Sequence, residues 1–106
     1  MKIKIIQTTL DSIELVKSIS LILVKNNLSP CVQIISNVKS IYKWKGEIEH
    51  SNEILLIIKT IPANVQKCKD IILKHHNYHT PELIVMESDV LENDYIDWFI
   101  ENTQNT

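Results

Sequence analysis

The chain has 106 residues, 44% of them hydrophobic, with 11 Lys+Arg against 13 Asp+Glu and a formal charge of −2. That length suits one domain with its own core, and the charge balance leaves no electrostatic footprint for nucleic acid or an anionic membrane surface. A single glycine, Gly46, argues against a glycine-rich phosphate loop of the Rossmann or P-loop kind, and no apolar run is long enough to span a bilayer.

Lys2–Thr8 alternates Ile3 and Ile5 with Lys2 and Lys4 and reads as a strand. The N-terminal segment lacks the basic, apolar and small-residue regions of a signal peptide, so cytoplasmic residence is the expectation. Asp11-Ser12-Ile13-Glu14 has the spacing of a capping box with Asp11 as the cap. Ile13, Val16, Ile19 and Leu23 follow at helical spacing until Asn26-Asn27 stops the helix. Cys31 and Cys68 are far apart and outside any C-x-x-C pattern, which predicts free buried thiols.

The longest signal starts at Pro30. Strict alternation predicts one strand with Val32, Ile34, Ser36, Val38, Ser40, Tyr42 and Trp44 on one face. Gln33, Asn37, Lys39, Lys43 and Lys45 fall mostly on the other. Ordinary strands run to about five or six residues. A strand near three times that length outruns the sheet of a small domain, and its tip, Tyr42 and Trp44, calls for cover from another copy of the chain.

Lys45-Gly46 marks a tight hairpin turn. The return strand, Glu47–Thr60, holds Ile54-Leu55-Leu56-Ile57-Ile58, a run suited to a central strand, with an interruption expected near Ser51-Asn52. Pro62 fits the first turn of a second helix, whose inner stripe is Val65, Cys68, Ile71, Ile72 and His75. Asn77–Pro81 breaks that helix, and Pro81–Glu87 is a fourth strand. A last helix runs from Asn93 to Asn102, with Ile96, Phe99 and Ile100 on one face and Tyr95 and Trp98 beside it. The final few polar residues are expected to fray. The order β-α-β-β-α-β-α predicts a single α+β domain over residues 1–106: a ferredoxin-like βαββαβ sandwich with an additional C-terminal helix.

Five blocks carry a family resemblance: Leu28-Ser-Pro-Cys-Val-Gln-Ile34, Ser40-Ile-Tyr-Lys-Trp-Lys-Gly-Glu47, Glu53-Ile-Leu-Leu-Ile-Ile-Lys-Thr60, His76-Asn-Tyr-His-Thr-Pro-Glu-Leu83 and Tyr95-Ile-Asp-Trp98. In this order and spacing the chain resembles the CutA family of divalent-cation tolerance proteins. The resemblance implies a compact homotrimer in which the long hairpin strands pair across protomers. It also implies a cytoplasmic protein associated with copper binding and the response to metal ions. The chain departs from the family at Ser36-Asn37, where a Pro-Gly bend is usual, and at His79, where a glutamate is usual. Some members carry a metal-ligating cysteine at the end of the first strand; here that position is Gln7, and the accompanying histidine and glutamate fall on His75 and Glu82. Loss of the thiolate removes the donor that most favours copper(I).

His75, His76, His79 and Glu82 form H-H-x-x-H-x-x-E, and Pro81 places the cluster in a helix-to-strand turn rather than on a continuous helix. Imidazole and carboxylate donors there suit copper(II), zinc(II) or nickel(II). The competing reading makes His76 and Glu82 fix the turn while the other histidines are solvated. Tyr42, Trp44, Tyr78, Tyr95 and Trp98 lack basic residues interleaved at regular spacing and make a poor base-stacking platform. They read better as subunit packing, with Val38, Tyr42, Trp44 and Trp98 as trimer-interface residues. Lys43, Lys45, Lys59, Glu47 and Glu53 read as solvated strand faces or, by analogy with PII-type signalling trimers, as the rim of an inter-subunit cleft for a small molecule. No Ser-His-Asp or Cys-His arrangement can be placed, so no enzymatic activity is expected, and a homotrimer without nucleic acid or membrane partners is the expected assembly.

Overall fold

The computed structural model describes residues 1–103, so the expected fraying of the last polar residues lies outside the described residues. Strands β1 (Lys2–Leu10), β2 (Cys31–Trp44), β3 (Glu47–Thr60) and β4 (Ile84–Asp89) form one antiparallel sheet in the order β2-β3-β1-β4. Helices α1 (Ile13–Lys25), α2 (Val65–His75) and α3 (Asn93–Glu101) complete the α+β domain, with a short 3-10 turn at Pro62–Asn64 leading into α2. The βαββαβ succession and this strand order are the split βαβ arrangement.

The β1–β3 register sets Ile6 opposite Ile58, Thr8 opposite Leu56 and Leu10 opposite Ile54. Partners across a ladder share a face, and α1 and α2 cover this one: Val16, Ile19, Leu23, Cys68 and Ile72 join Ile6, Leu10, Leu56 and Ile58 in one buried cluster. Each large aliphatic side chain removed from water there contributes about 1.5–3 kcal/mol. The α1 cap is Ser12, not Asp11: the Ser12 hydroxyl accepts from the Leu15 amide at 3.3 Å. Asp11 stands one residue too early and instead accepts from the Asn77 side-chain amide at 3.0 Å, tying β1 to the turn after α2. On the other sheet face, the Lys59 ammonium lies 5.8 Å from the Tyr95 ring. Lys59 shares its face with Ile5 and Cys31, which puts α3 on the side opposite α1 and α2.

β2 does not present a single face. It pairs with β3 from Cys31–Lys59 to Trp44–Glu47, but the register shifts between Ile35 and Val38, where β2 holds one residue more than β3. Asn37 takes up that extra residue in the left-handed region, φ +62°. One extra residue inverts the alternation. Ile34 therefore pairs with Leu56 on the helix-covered face, whereas Val38, Tyr42 and Trp44 pair with Glu53, Glu49 and Glu47 on the opposite face. The irregularity sits in β2, and β3 runs unbroken through Ser51 and Asn52. Lys45 (φ +51°) and Gly46 (φ +82°) close the hairpin with the two positive angles of a type I′ turn.

β1 ends at Leu10, opposite Ile54, so from Val38 and Glu53 outward the hairpin is a two-stranded arm with no third strand. The arm stretches the molecule to 46 × 25 × 21 Å and leaves Ile41 68% and Ile48 65% exposed. β4 begins at Ile84 rather than Pro81, since its ladder to β1 ends with the pair Gln7–Ile84 and Pro81 has no amide to extend it. Residues 76–83 are left as a loop beside the base of the arm.

Candidate functional site

α2 ends at His75, and His76 turns the chain away at φ −69°, ψ 141°. Its side chain crosses to β1. Nε2 lies 2.8 Å from the Thr9 carbonyl, and Nδ1 accepts from the Tyr78 amide at 3.0 Å. A ring nitrogen that accepts from an amide carries no proton, so the network assigns the proton to Nε2, which donates to Thr9. Both imidazole nitrogens are thereby occupied. The Tyr78 ring packs edge-on against His76 with centroids 4.9 Å apart, and its hydroxyl donates to Glu53 Oε2 at 2.8 Å. Glu53 sits on β3 and is only 8% exposed. Burial, then the Glu53 carboxylate, push the Tyr78 hydroxyl pKa up. Glu82 Oε2 accepts from Gln7 Nε2 at 3.1 Å, so Gln7 on β1 holds the loop through a hydrogen bond.

Between this loop and the arm lies a groove of about 870 Å³. The arm contributes Tyr42, Trp44, Glu49 and Glu53; the loop contributes Tyr78, His79 and Glu82. Among the described residues three carboxylates, three aromatic rings and one imidazole line it, and no lysine or arginine does.

Of the residues singled out from sequence, Tyr42, Trp44, His79 and Glu82 meet at this groove. His76 fixes the turn, and His75 stays at the end of α2 outside the lining. Val38 is half-buried on the same arm face. Trp98 lies on α3 against Tyr95, with centroids 5.4 Å apart, and does not line the groove. Among the described residues no three His, Cys, Asp or Glu side chains converge as metal ligands. Within one protomer the structure brings His79 and Glu82 to one groove and leaves His75 and His76 outside its lining. The bend at His76 breaks the i, i+4 relation of His75 and His79, and the hydrogen bonds of His76 close off its nitrogens. Sequence reasoning read Glu53 as a solvated strand charge or the rim of an inter-subunit cleft and gave Glu49 no role. Counting back from the two-residue turn sets Glu47 opposite Trp44 and Glu49 opposite Tyr42, a signal that was available.

Comparison with known proteins shows where this architecture recurs. The family model described as CutA1 divalent ion tolerance protein matches residues 4–102. The divalent-cation tolerance protein CutA of Thermus thermophilus is 33% identical over 100 residues, 94% of this chain and 97% of its own length. The solved structure of the Cut A1 protein from that organism superposes with a TM-score of 0.89 at 33% identity, covering 98% of this chain and 100% of that one. The chloroplastic protein CutA of Arabidopsis thaliana is 28% identical over 101 residues, 95% of this chain but 56% of its own length. The CutA structure from Archaeoglobus fulgidus superposes with a TM-score of 0.90 at 27% identity, covering 96% and 99%.

The last two correct the expectation of cytoplasmic residence, because the Archaeoglobus protein is described as periplasmic and the Arabidopsis protein as chloroplastic. The expectation rested on the N-terminal segment, whose composition is set by its place in the sheet: Lys2–Leu10 is β1, between β3 and β4. A sequence written by sheet burial does not report a compartment. The family match over residues 4–102, joined to a 33%-identical relative aligned almost end to end, establishes that this chain belongs to the CutA1 divalent ion tolerance family.

Proposed function

We propose that the chain is a non-catalytic, homotrimeric cation-binding protein that takes copper(II) or another divalent cation at the mouth of its groove. The observation that carries this reading is the charge of the groove, where Glu49, Glu53, Glu82 and His79 line the cavity without a lysine or arginine. Divalent-cation tolerance, named for the Thermus relative, points to the same class of ligand. His79 and Glu82 offer the imidazole and carboxylate donors that suit copper(II), zinc(II) or nickel(II). Two donors do not hold such an ion tightly, and the adjoining protomer supplies the remainder. The arm supports assembly, since Ile41 and Ile48 are exposed on a two-stranded extension that ordinarily needs more strands for stability.

Calorimetric titration of copper(II) and zinc(II) into wild type, His79→Ala, Glu82→Ala and His75→Ala tests the metal part. The first two variants should lose affinity, and undiminished binding in both removes the site. Light scattering behind a sizing column should give three times the 12.3 kDa protomer mass, and a monomer removes the assembly. A second reading, a PII-like module for a small molecule, is favoured by the groove volume of about 870 Å³, far more than a bare ion needs. A thermal-shift screen of metabolites tests it, since a ligand bound only to the native state raises the unfolding midpoint.

A further inference from the structure

We propose that the loop of residues 76–83 is a strap that sets the angle at which the β2–β3 arm leaves the sheet, and that Tyr78 is the positioning residue through which the loop holds the arm for assembly. The inference rests on the homotrimer reading, not on the cation reading, and needs no ligand in the groove. β1 ends at Leu10, opposite Ile54, so Glu53 is the first residue of β3 beyond the β1 ladder. Its partner on β2 is Val38, the first paired residue after the bulge. A bulge bends its strand, and a two-stranded ribbon twists more strongly than a wider sheet. The direction of the arm is therefore decided at its base, where Asn37 and Glu53 stand.

The loop takes hold at that base. A continuous line of hydrogen bonds runs from β1 to the arm: His76 Nε2 donates to the Thr9 carbonyl at 2.8 Å, the Tyr78 amide donates to His76 Nδ1 at 3.0 Å, and the Tyr78 hydroxyl donates to Glu53 Oε2 at 2.8 Å. The edge-on contact of the His76 and Tyr78 rings, centroids 4.9 Å apart, fixes the direction in which Tyr78 reaches out. Two further bonds pin the loop on either side of Tyr78. Asn77 Nδ2 donates to Asp11 Oδ1 at 3.0 Å, and Gln7 Nε2 donates to Glu82 Oε2 at 3.1 Å. Thr9, Asp11 and Gln7 belong to β1 or follow it directly, so the loop is fastened to the three-stranded part of the sheet and Tyr78 extends from there to the arm. A hydrogen bond to a carboxylate that is only 8% exposed is among the stronger ones. Association needs the arm in one pose, so that its exposed Ile41 and Ile48 meet another copy together. A pose fixed beforehand removes the cost of ordering the arm at that moment.

The test uses the full chain, with isotope-labelled and unlabelled trimers mixed and the appearance of mixed trimers followed by native mass spectrometry. Tyr78→Phe should speed this subunit exchange by about tenfold, the scale of one hydrogen bond to a charged group. Asn77→Ala, at an exposed position, should speed it by about threefold and guards against a misfolded Tyr78 variant. Ile19→Val, in the core under α1, should lower the unfolding midpoint and leave subunit exchange within about twofold of wild type. Amide hydrogen exchange, at a concentration where each variant is trimeric, should rise in Tyr78→Phe over Val38–Trp44 and Glu47–Asn52 and stay unchanged over β1 and α1. Subunit exchange in Tyr78→Phe within about twofold of wild type, or arm amides exchanging at the wild-type rate, would overturn the strap and leave the trimer standing. An equal acceleration by Ile19→Val would overturn it too, since the effect would then be general loss of stability. A wild type that is monomeric throughout removes the homotrimer reading itself, and the link from loop to assembly falls with it.

Discussion

Replacing Tyr78 by phenylalanine deletes one oxygen and leaves the edge-on ring contact with His76 in place. The lost hydroxyl is the 2.8 Å donor to Glu53 Oε2. A hydrogen bond to a charged group contributes about 1.5–3 kcal/mol, and Glu53, at 8% exposure, has little water to replace it. A loss of about 2 kcal/mol is expected, which for a domain of roughly 100 residues lowers the unfolding midpoint by about 10 °C. Thermal and urea unfolding at one fixed protein concentration measure it. The double-mutant cycle with Glu53→Gln should return a coupling of about 1 kcal/mol or more, because the two side chains share the bond.

The pH dependence supplies a second check. The Tyr78 pKa is raised in the folded state, so above about pH 10 the unfolded chain releases a proton that the native chain retains. Stability from this group is therefore complete below about pH 10 and falls as pH climbs toward the raised folded value; Tyr78→Phe should flatten that part of the profile. A midpoint shift under about 2 °C together with zero coupling would refute the reasoning and show that Glu53 draws its solvation from elsewhere.

Burial pushes the Cys68 thiol up to about 11, so at pH 8 a thiol reagent should modify no more than one cysteine of the native protein, Cys31, and reach Cys68 only in denaturant; two fast thiols would contradict the packing. Asn37→Val should cost about 1–2 kcal/mol, since a β-branched residue resists φ +62°, whereas Asn37→Gly should stay within about 0.5 kcal/mol in urea unfolding. Equal loss from both would place the cost outside the backbone. Gly46→Ala should cost about 1 kcal/mol even though an added Cβ meets nothing within 4 Å, because the penalty lies in φ +82°; an unchanged midpoint would show that the turn relaxes freely.

Much of the architecture was legible. The helical stripes of α1 and α2, the turn at Lys45-Gly46 and the central run Ile54–Ile58 follow from apolar periods of 3.6 and 2 and from one glycine. The family could be recognised for the same reason, since its blocks are these elements and their junctions. The groove was less legible. Tyr42 and Trp44 read as lying beyond Val32 and Ile34 on one continuous face, yet a single extra residue at Asn37 turns them to the opposite side. Glu53 read as a solvated charge or a cleft rim, because its hydrogen-bond partner Tyr78 lies 25 residues away in sequence.

The amino-acid sequence alone determines the succession of elements, the hairpin and the membership of the core, since those depend on residues within a turn or two of one another. The tertiary structure decides which face the arm shows to the loop, how both His76 nitrogens come to be hydrogen-bonded, and how three carboxylates and three rings come to line one groove. Those outcomes depend on pairing between distant segments, where one bulged residue inverts a face and one hydrogen bond sets a tautomer.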